Sequence, residues 1–194
     1  MTDEELVNQV TAGERAALEE LYRRYAKKLH VFFSRVMRAG NPEDLVHDVF
    51  VRVIEKARQF DGRKASFQTW LFHIARNHSI NLYRRGKVVR FTSLEETVGS
   101  GRSDGPDLRL ADVLQDPGPG PEGSPFVLAV RECLDGLQDE MERQSLVLYH
   151  IFGKNYREIG QILRRSISAV RKQILAAGEK VRRCLERKGI DSYA

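Results

Sequence analysis

The stretch Tyr156–Lys180, YREIGQILRRSISAVRKQILAAGEK, decides how this chain is read. It divides into two short helical patterns around a tight turn, Leu163-Arg164-Arg165-Ser166, and the second helix carries basic residues. That is the pattern of a helix-turn-helix, which lays its second helix in the DNA major groove. Helical periodicity puts Ile167, Val170, Ile174, Ala177, Val181 and Leu185 on an inward stripe. Ser168, Ala169, Arg171, Lys172 and Gln173 must then face away from the core. Small residues at the helix start allow close approach. Arg171 suits a guanine edge or a phosphate, Lys172 a phosphate, and Gln173 a base edge. A solvated basic helix with no DNA role would show the same face. The turn lacks the usual glycine followed by an apolar plug. Arg164 and Arg165 stand there instead, either to reach phosphates or to leave the corner less well packed.

Outward from this motif the helical signals continue. Ser124-Pro125 reads as a cap followed by proline, with Val127, Val130, Leu134 and Leu137 facing inward. Asp139 to Glu142 reads as a capping box, leading into Leu146, Val147, Ile151 and Phe152. Gly153 is placed to end that helix with a left-handed residue, and Asn155 to Glu158 caps the next. Toward the N-terminus, Thr11-Ala-Gly-Glu14 reads as another capping box. Leu18, Leu21, Tyr22, Tyr25, Leu29, Phe32, Phe33 and Val36 make one apolar face. Asn41-Pro42-Glu43-Asp44 is a helix start, and Leu45, Val49, Val53, Ile54 and Ala57 are its inward stripe. Phe60 to Ala65 breaks that helix. Ser66 caps the next, which turns Phe67, Trp70, Leu71, Ile74, Ala75, His78 and Leu82 inward or nearly so. No period-two strand pattern stands out, so the fold is expected to be all-α, in two small helical domains.

Charge divides the chain in three. Residues 1–90 hold 17 basic and 11 acidic residues, 91–125 hold 2 and 7, and 126–194 hold 13 and 9. Two basic blocks therefore flank an acidic segment, which points to two nucleic-acid-facing domains. The middle segment is dense in glycine and proline and poor in apolar residues, as a linker is, with at most a short helical turn around Leu108–Leu114. The expected domains are 1–90, the linker 91–125, and 126–194. No apolar run approaches the roughly 18 residues a membrane span needs. The start, MTDEELVNQV, is acidic where a signal peptide is basic, so the chain is expected to stay cytoplasmic. Cys133 and Cys184 lie far apart without ligand-type neighbours and read as free, buried or half-buried thiols. No nucleophile–base set, metal-ligand cluster or phosphate-cradling glycine loop is visible. Catalysis, metal, cofactor and small-molecule substrate are accordingly not expected.

Residues 41–85 read NPEDLVHDVFVRVIEKARQFDGRKASFQTWLFHIARNHSINLYRR. The EDLV-D-F run, the FD-containing break, F-TWL, IARN and the terminal RR closely resemble region 2 of bacterial RNA-polymerase sigma factors. The nearest likeness is to the extracytoplasmic-function (ECF) group of the sigma-70 family. Leu137–Leu185 resembles region 4 of the same proteins, with Gln138–Gln144 standing where the family usually has a proline-containing run. The resemblance implies a protein that binds core RNA polymerase, through its β′ and β subunits, and directs it to promoter DNA. It implies polymerase docking by Glu43, Asp44, His47, Asp48 and Phe50, with His47 in place of the commoner glutamine. Acids on one helix face suit a basic partner, although Glu43 and Asp44 also favour their own helix N-terminus.

For the minus-10 element, which the family melts and holds as extruded bases, it implies the loop Phe60–Ser66 and the following helix. Arg63 and Lys64 would hold the displaced strand, and Phe67 and Trp70 would stack, with ordinary core the favoured reading for Trp70. Arg76, Asn77, Asn81, Arg84 and Arg85 would face the duplex just upstream. Asn81 replaces the aspartate more frequent in the family. For the minus-35 element it implies Arg164, Arg165, Ser168, Arg171, Lys172 and Gln173. The acidic linker would enter basic nucleic-acid channels of the polymerase, or serve only as a solubilising tether. Control by an anti-sigma factor is implied for the group. The competing readings are a stand-alone operator-binding regulator, which leaves 41–85 unexplained, and a sigma-like adaptor without promoter recognition.

Overall fold

The computed structural model describes residues 1–36, 41–88 and 125–190, the side chains of 83–88, 125 and 127 excepted. The described residues form eight α-helices and no strand, as the periodicity requires. The N-terminal group is α1 (Asp3–Thr11), α2 (Arg15–Val36), α3 (Pro42–Lys56), a 3-10 turn (Ala57–Gln59) and α4 (Phe67–Val88). The C-terminal group is α5 (Pro125–Asp135), α6 (Glu140–His150), α7 (Tyr156–Leu163) and α8 (Ile167–Arg187). The expected linker 91–125 (all but Pro125), its turn at 108–114 and the Ser124 cap lie outside the described residues. No helix among them is long and apolar enough to cross a membrane.

Side-chain caps set most helix starts. Asn41 Oδ1 accepts from the Glu43 N–H with Pro42 at the first helical position, and Ser66 Oγ accepts from the Thr69 N–H. Asp139 Oδ1 accepts from the N–H groups of Met141 and Glu142, and Asn155 and Glu158 complete a reciprocal box. Each cap satisfies amides that no helical carbonyl reaches. Two cap expectations are corrected. Thr11 ends α1 rather than starting a helix, its hydroxyl donating to the Val7 carbonyl, and the box lies at Thr2 and Glu5 instead. Glu142 sends its carboxylate to Lys180 Nζ, at 2.7 and 2.9 Å, tying α6 to α8.

The core of the first group is aromatic. Phe32, Phe33, Phe67 and Phe72 are almost wholly buried, with Phe32 meeting Phe72 edge-on at 5.3 Å. Phe152, from the segment after α6, reaches across and packs on Phe72 at 4.7 Å and Phe32 at 6.3 Å. The two helix groups therefore share one apolar seam. Arg143 crosses the same boundary, buried, donating to the carbonyls of Leu137 and, at 3.5 Å, Val36.

Three residues assigned inward are exposed: Tyr22, Ile54 and Ile167. Val46, Phe50 and Phe72 fill the core beside the expected stripes. A helix buries an arc wide enough that a residue at its edge falls on either side according to its neighbours.

The cysteines also correct the reading. Cys133 of α5 and Cys184 of α8 are joined in a disulfide, with Cα atoms 5.7 Å apart and a sequence separation of 51. Reading each cysteine against its own sequence neighbours could not show that two helices distant in sequence bring them together. A cross-link closing a loop of this size typically contributes about 2–4 kcal/mol. Reductant, or the pair Cys133→Ser and Cys184→Ser, is expected to lower the Tm by roughly 5–15 °C. Calorimetry with and without reductant checks this; an unchanged Tm would contradict it.

Candidate nucleic-acid and docking faces

The corner between α7 and α8 is built by two residues. Arg164 ends α7 in the left-handed conformation, φ 52° and ψ 53°, where glycine is usual. For an arginine this costs roughly 1–2 kcal/mol. The glycine is found four residues earlier. A Cβ on Gly160 would sit 2.8 Å from the Arg165 carbonyl oxygen, and the Arg165 N–H returns a 2.9 Å bond to the Gly160 carbonyl. The bare Cα lets the chain fold back on α7, and Ile159, Ile162, Leu163 and Val170 close the corner.

Beyond the corner, Ser166 caps α8 and the side chains separate as expected. Val170, Ile174, Ala177, Val181 and Leu185 are buried, while Ser168, Arg171 and Lys172 are exposed. Two expectations change. Gln173 is only half-exposed, and its Oε1 accepts from Ser145 Oγ at 3.1 Å, so part of its hydrogen-bonding capacity is used within the protein. Ile167, at the first position of α8, projects outward beside Ser168 and adds an apolar contact to the presented face.

On α3, Glu43, Asp44, His47 and Asp48 are exposed. Asp48 lies 3.0 Å from the Nε2 of buried His78, and Arg52 Nε donates to its Nδ1, so the acidic face is braced against α4. Phe50 is 4% exposed and packs on Tyr22 at 4.8 Å. It supports this face from beneath and is not itself a contact residue, which corrects its place in the docking set. The exposed apolar residues Val51 and Ile54 follow His47 at helical spacing and extend the face. Inward assignment hid Ile54, and only burial reveals it.

The loop before α4 folds on Asp61. Its carboxylate takes both Arg63 Nε and Nη2, at 3.0 and 3.1 Å, with Lys64 Nζ at 3.4 Å. The Arg63 side chain and its N–H hold the Asp61 carboxyl well below the usual carboxylate range. Arg63 and Lys64 remain exposed to solvent. Phe67 is 1% exposed, edge-on to Tyr25 at 5.3 Å, so a stacking role is corrected to core. Trp70 is half-buried between Phe60 and Phe67. Arg76 and Asn77 are half-buried and bonded to each other at 3.2 Å, and Asn81 is exposed. The side chains of Arg84 and Arg85 lie outside those described.

One face of α4 is met by the C-terminal helices. Thr69 Oγ1 donates to Glu158 at 3.2 Å, His73 Nε2 accepts from Arg164 Nε at 3.0 Å, and Arg76 Nη2 reaches Met141 Sδ at 3.8 Å. Gln68 Oε1 accepts from Lys154 Nζ at 3.0 Å, and the Lys64 carbonyl accepts from Gln161 at 3.2 Å. Burial, and then the charges of Arg164, Arg76 and Lys56, push the His73 imidazole below its ordinary pKa.

Comparison with known proteins adds to this geometry. The family model for sigma-70 region 2 matches residues 21–88. The chain is 30% identical over 160 residues to the RNA polymerase sigma factor YlaC of Bacillus subtilis, covering 80% of this chain and 84% of that relative. It is 27% identical over 182 residues to the ECF RNA polymerase sigma factor SigK of Mycobacterium ulcerans, covering 93% and 92%. In fold it is similar to the sigma factor RpoE of Bartonella quintana, solved with the anti-sigma factor NepR. That match has a TM-score of 0.64 at 20% identity over 87% of this chain and 96% of that one.

The corner gives a direct test. Gly160→Ala forces its Cβ against backbone rather than a movable side chain. It is expected to cost about 1–3 kcal/mol, as overpacking does, and to weaken duplex binding. Chemical denaturation and a gel-shift titration check this; wild-type values in both would contradict it.

Proposed function

The chain belongs to the extracytoplasmic-function group of sigma-70 RNA polymerase sigma factors, and on that premise we propose how its faces share the work. The protein binds core RNA polymerase and directs promoter-specific initiation, acting in the cytoplasm and catalysing no reaction itself. Helix α3 docks on the polymerase through Glu43, Asp44, His47 and Asp48, joined by Val51 and Ile54. Loop 60–66 and the outer part of α4 engage the minus-10 strand through Arg63, Lys64, Arg76, Asn77 and Asn81. Arg84 and Arg85 add the upstream phosphates. Helix α8 reads the minus-35 element through Ser168, Arg171 and Lys172, with Ile167 positioned for a thymine methyl. Arg165 and Arg164 lie beside the backbone. The acidic segment 91–125 enters basic nucleic-acid channels of the polymerase.

The observation that carries this reading is the conjunction of two exposed faces on one chain. One is an acidic and apolar strip on α3, and the other is a basic helix start beyond a tight corner. A stand-alone regulator needs only the second. The solved likeness to a sigma factor held by an anti-sigma factor supports control of the same kind here.

Run-off transcription with core polymerase tests the whole. Discrete promoter-dependent transcripts are expected with the protein and none without it. Ile54→Asp is expected to weaken polymerase binding at least about tenfold, as a charge forced into an apolar contact does. Arg171→Ala should cost about 1–3 kcal/mol on the preferred promoter and blur discrimination, whereas Lys172→Ala should weaken all sequences alike and reduce the salt slope by about one. Equal losses on all promoters for both variants would remove Arg171 from base reading.

A further inference from the structure

The polar part of the docking strip on α3 consists of Glu43, Asp44, His47 and Asp48, all exposed. Among the described residues only Asp48 of these has a side-chain partner, and that partner, His78, comes from α4. The His78 ring is 4% exposed and meets both Asp48 and Arg52, which stand four residues apart on α3. Arg52 Nε donates to Nδ1 at 3.2 Å, so Nδ1 holds a lone pair. The ring proton then sits on Nε2, the nitrogen 3.0 Å from Asp48 Oδ2.

This arrangement lacks a pair that helix geometry favours. An acid four residues before a base faces it across one turn, and this order of acid and base is the better one. Asp48 and Arg52 have that spacing and that order, yet no ion pair joins them. Arg52 gives its Nε–H to the ring instead, and the Asp48 side chain remains 53% exposed.

We propose that His78 is a positioning residue for polymerase docking. It holds Arg52 away from Asp48, so that the carboxylate stays unneutralised for a cationic group of the polymerase. This rests on the assignment of α3 to the polymerase.

The physics favours a ring in this place over a direct pair. A carboxylate already paired on its own helix offers a basic partner less, because the partner must displace the resident cation and the complementary potential is weakened. An imidazole with a lone pair on Nδ1 carries no net charge. It can occupy Arg52 through that lone pair and face Asp48 with an N–H dipole, leaving the acid its full charge. Burial in the α3–α4 contact gives the ring a fixed place, while Asp48 lies at the surface. An apolar residue at 78 would leave Arg52 Nε without its acceptor. The carboxylate on α3 in the favoured order is then Asp48, since Glu55 lies on the C-terminal side of Arg52.

The test measures affinity of the full-length protein for core RNA polymerase by fluorescence anisotropy over a range of salt. His78→Leu keeps a side chain of similar bulk in the core and frees Arg52. It should weaken binding about three- to tenfold at low salt, as withdrawal of a surface charge does, and the loss should shrink as salt rises. On a background of Arg52→Gln the same His78→Leu should cost less than about twofold, because no cation remains to occupy Asp48. The cost should vanish likewise on a background of Asp48→Asn. Far-UV circular dichroism confirms that each variant is folded. A merely structural histidine predicts the same salt-independent loss on every background, and that result overturns the proposal, as does unchanged affinity in His78→Leu. Wild-type affinity in Asp48→Asn alone overturns the assignment of Asp48 to the docking face, and the proposal with it. Nitrogen-15 NMR of the wild-type ring needs no variant. At neutral pH a proton on Nε2 alone is expected, and a proton on Nδ1 overturns the arrangement.

Discussion

The close approach of Gly160 to the Arg165 carbonyl is the constraint on which the rest depends. At 2.8 Å from a virtual Cβ, it fixes how sharply the chain turns after α7, and so the direction in which α8 leaves. That direction buries Val170 and Ile174 and leaves Arg171 and Lys172 outside. The same turn holds Arg164 left-handed and aims its guanidinium at His73. One backbone contact thus sets the course of α8 and the place of Arg164 beside α4.

The two helix groups have different characters. The first buries an aromatic cluster and braces its acidic face against α4 through His78. The second is small and tied by a disulfide, by Glu142 to Lys180 and by buried Arg143. Their contact mixes one aromatic insertion with charged, bonded groups.

Much of this was legible in the sequence. Caps at Asn41, Ser66, Asp139, Asn155 and Ser166 are local chemistry, since the side chain and the amide it satisfies lie within three residues. Resemblance over 41–85 and 137–185 supplied the family, and Ser168, Arg171 and Lys172 are exposed on α8 where periodicity put them, whereas Gln173 and Ile167 are not where it put them. The failures share a cause. Tyr22, Ile54 and Ile167 lie at stripe edges, and their exposure is decided by partners distant in sequence. Phe50 and Phe67 were assigned contact roles by likeness, but their aromatic neighbours draw them into the core. The Cys133–Cys184 bond and the Thr69–Glu158 hydrogen bond join residues 51 or more positions apart, beyond what local pattern can carry.

The central claim is that this chain brings polymerase to promoters and opens them. Permanganate probing of promoter thymines tests it most directly. With core polymerase and this protein together, reactive thymines should appear in the minus-10 region, and neither component alone should produce them. Protection of duplex DNA by the free protein, with no reactive thymines when polymerase is added, would contradict the account and point to a stand-alone regulator.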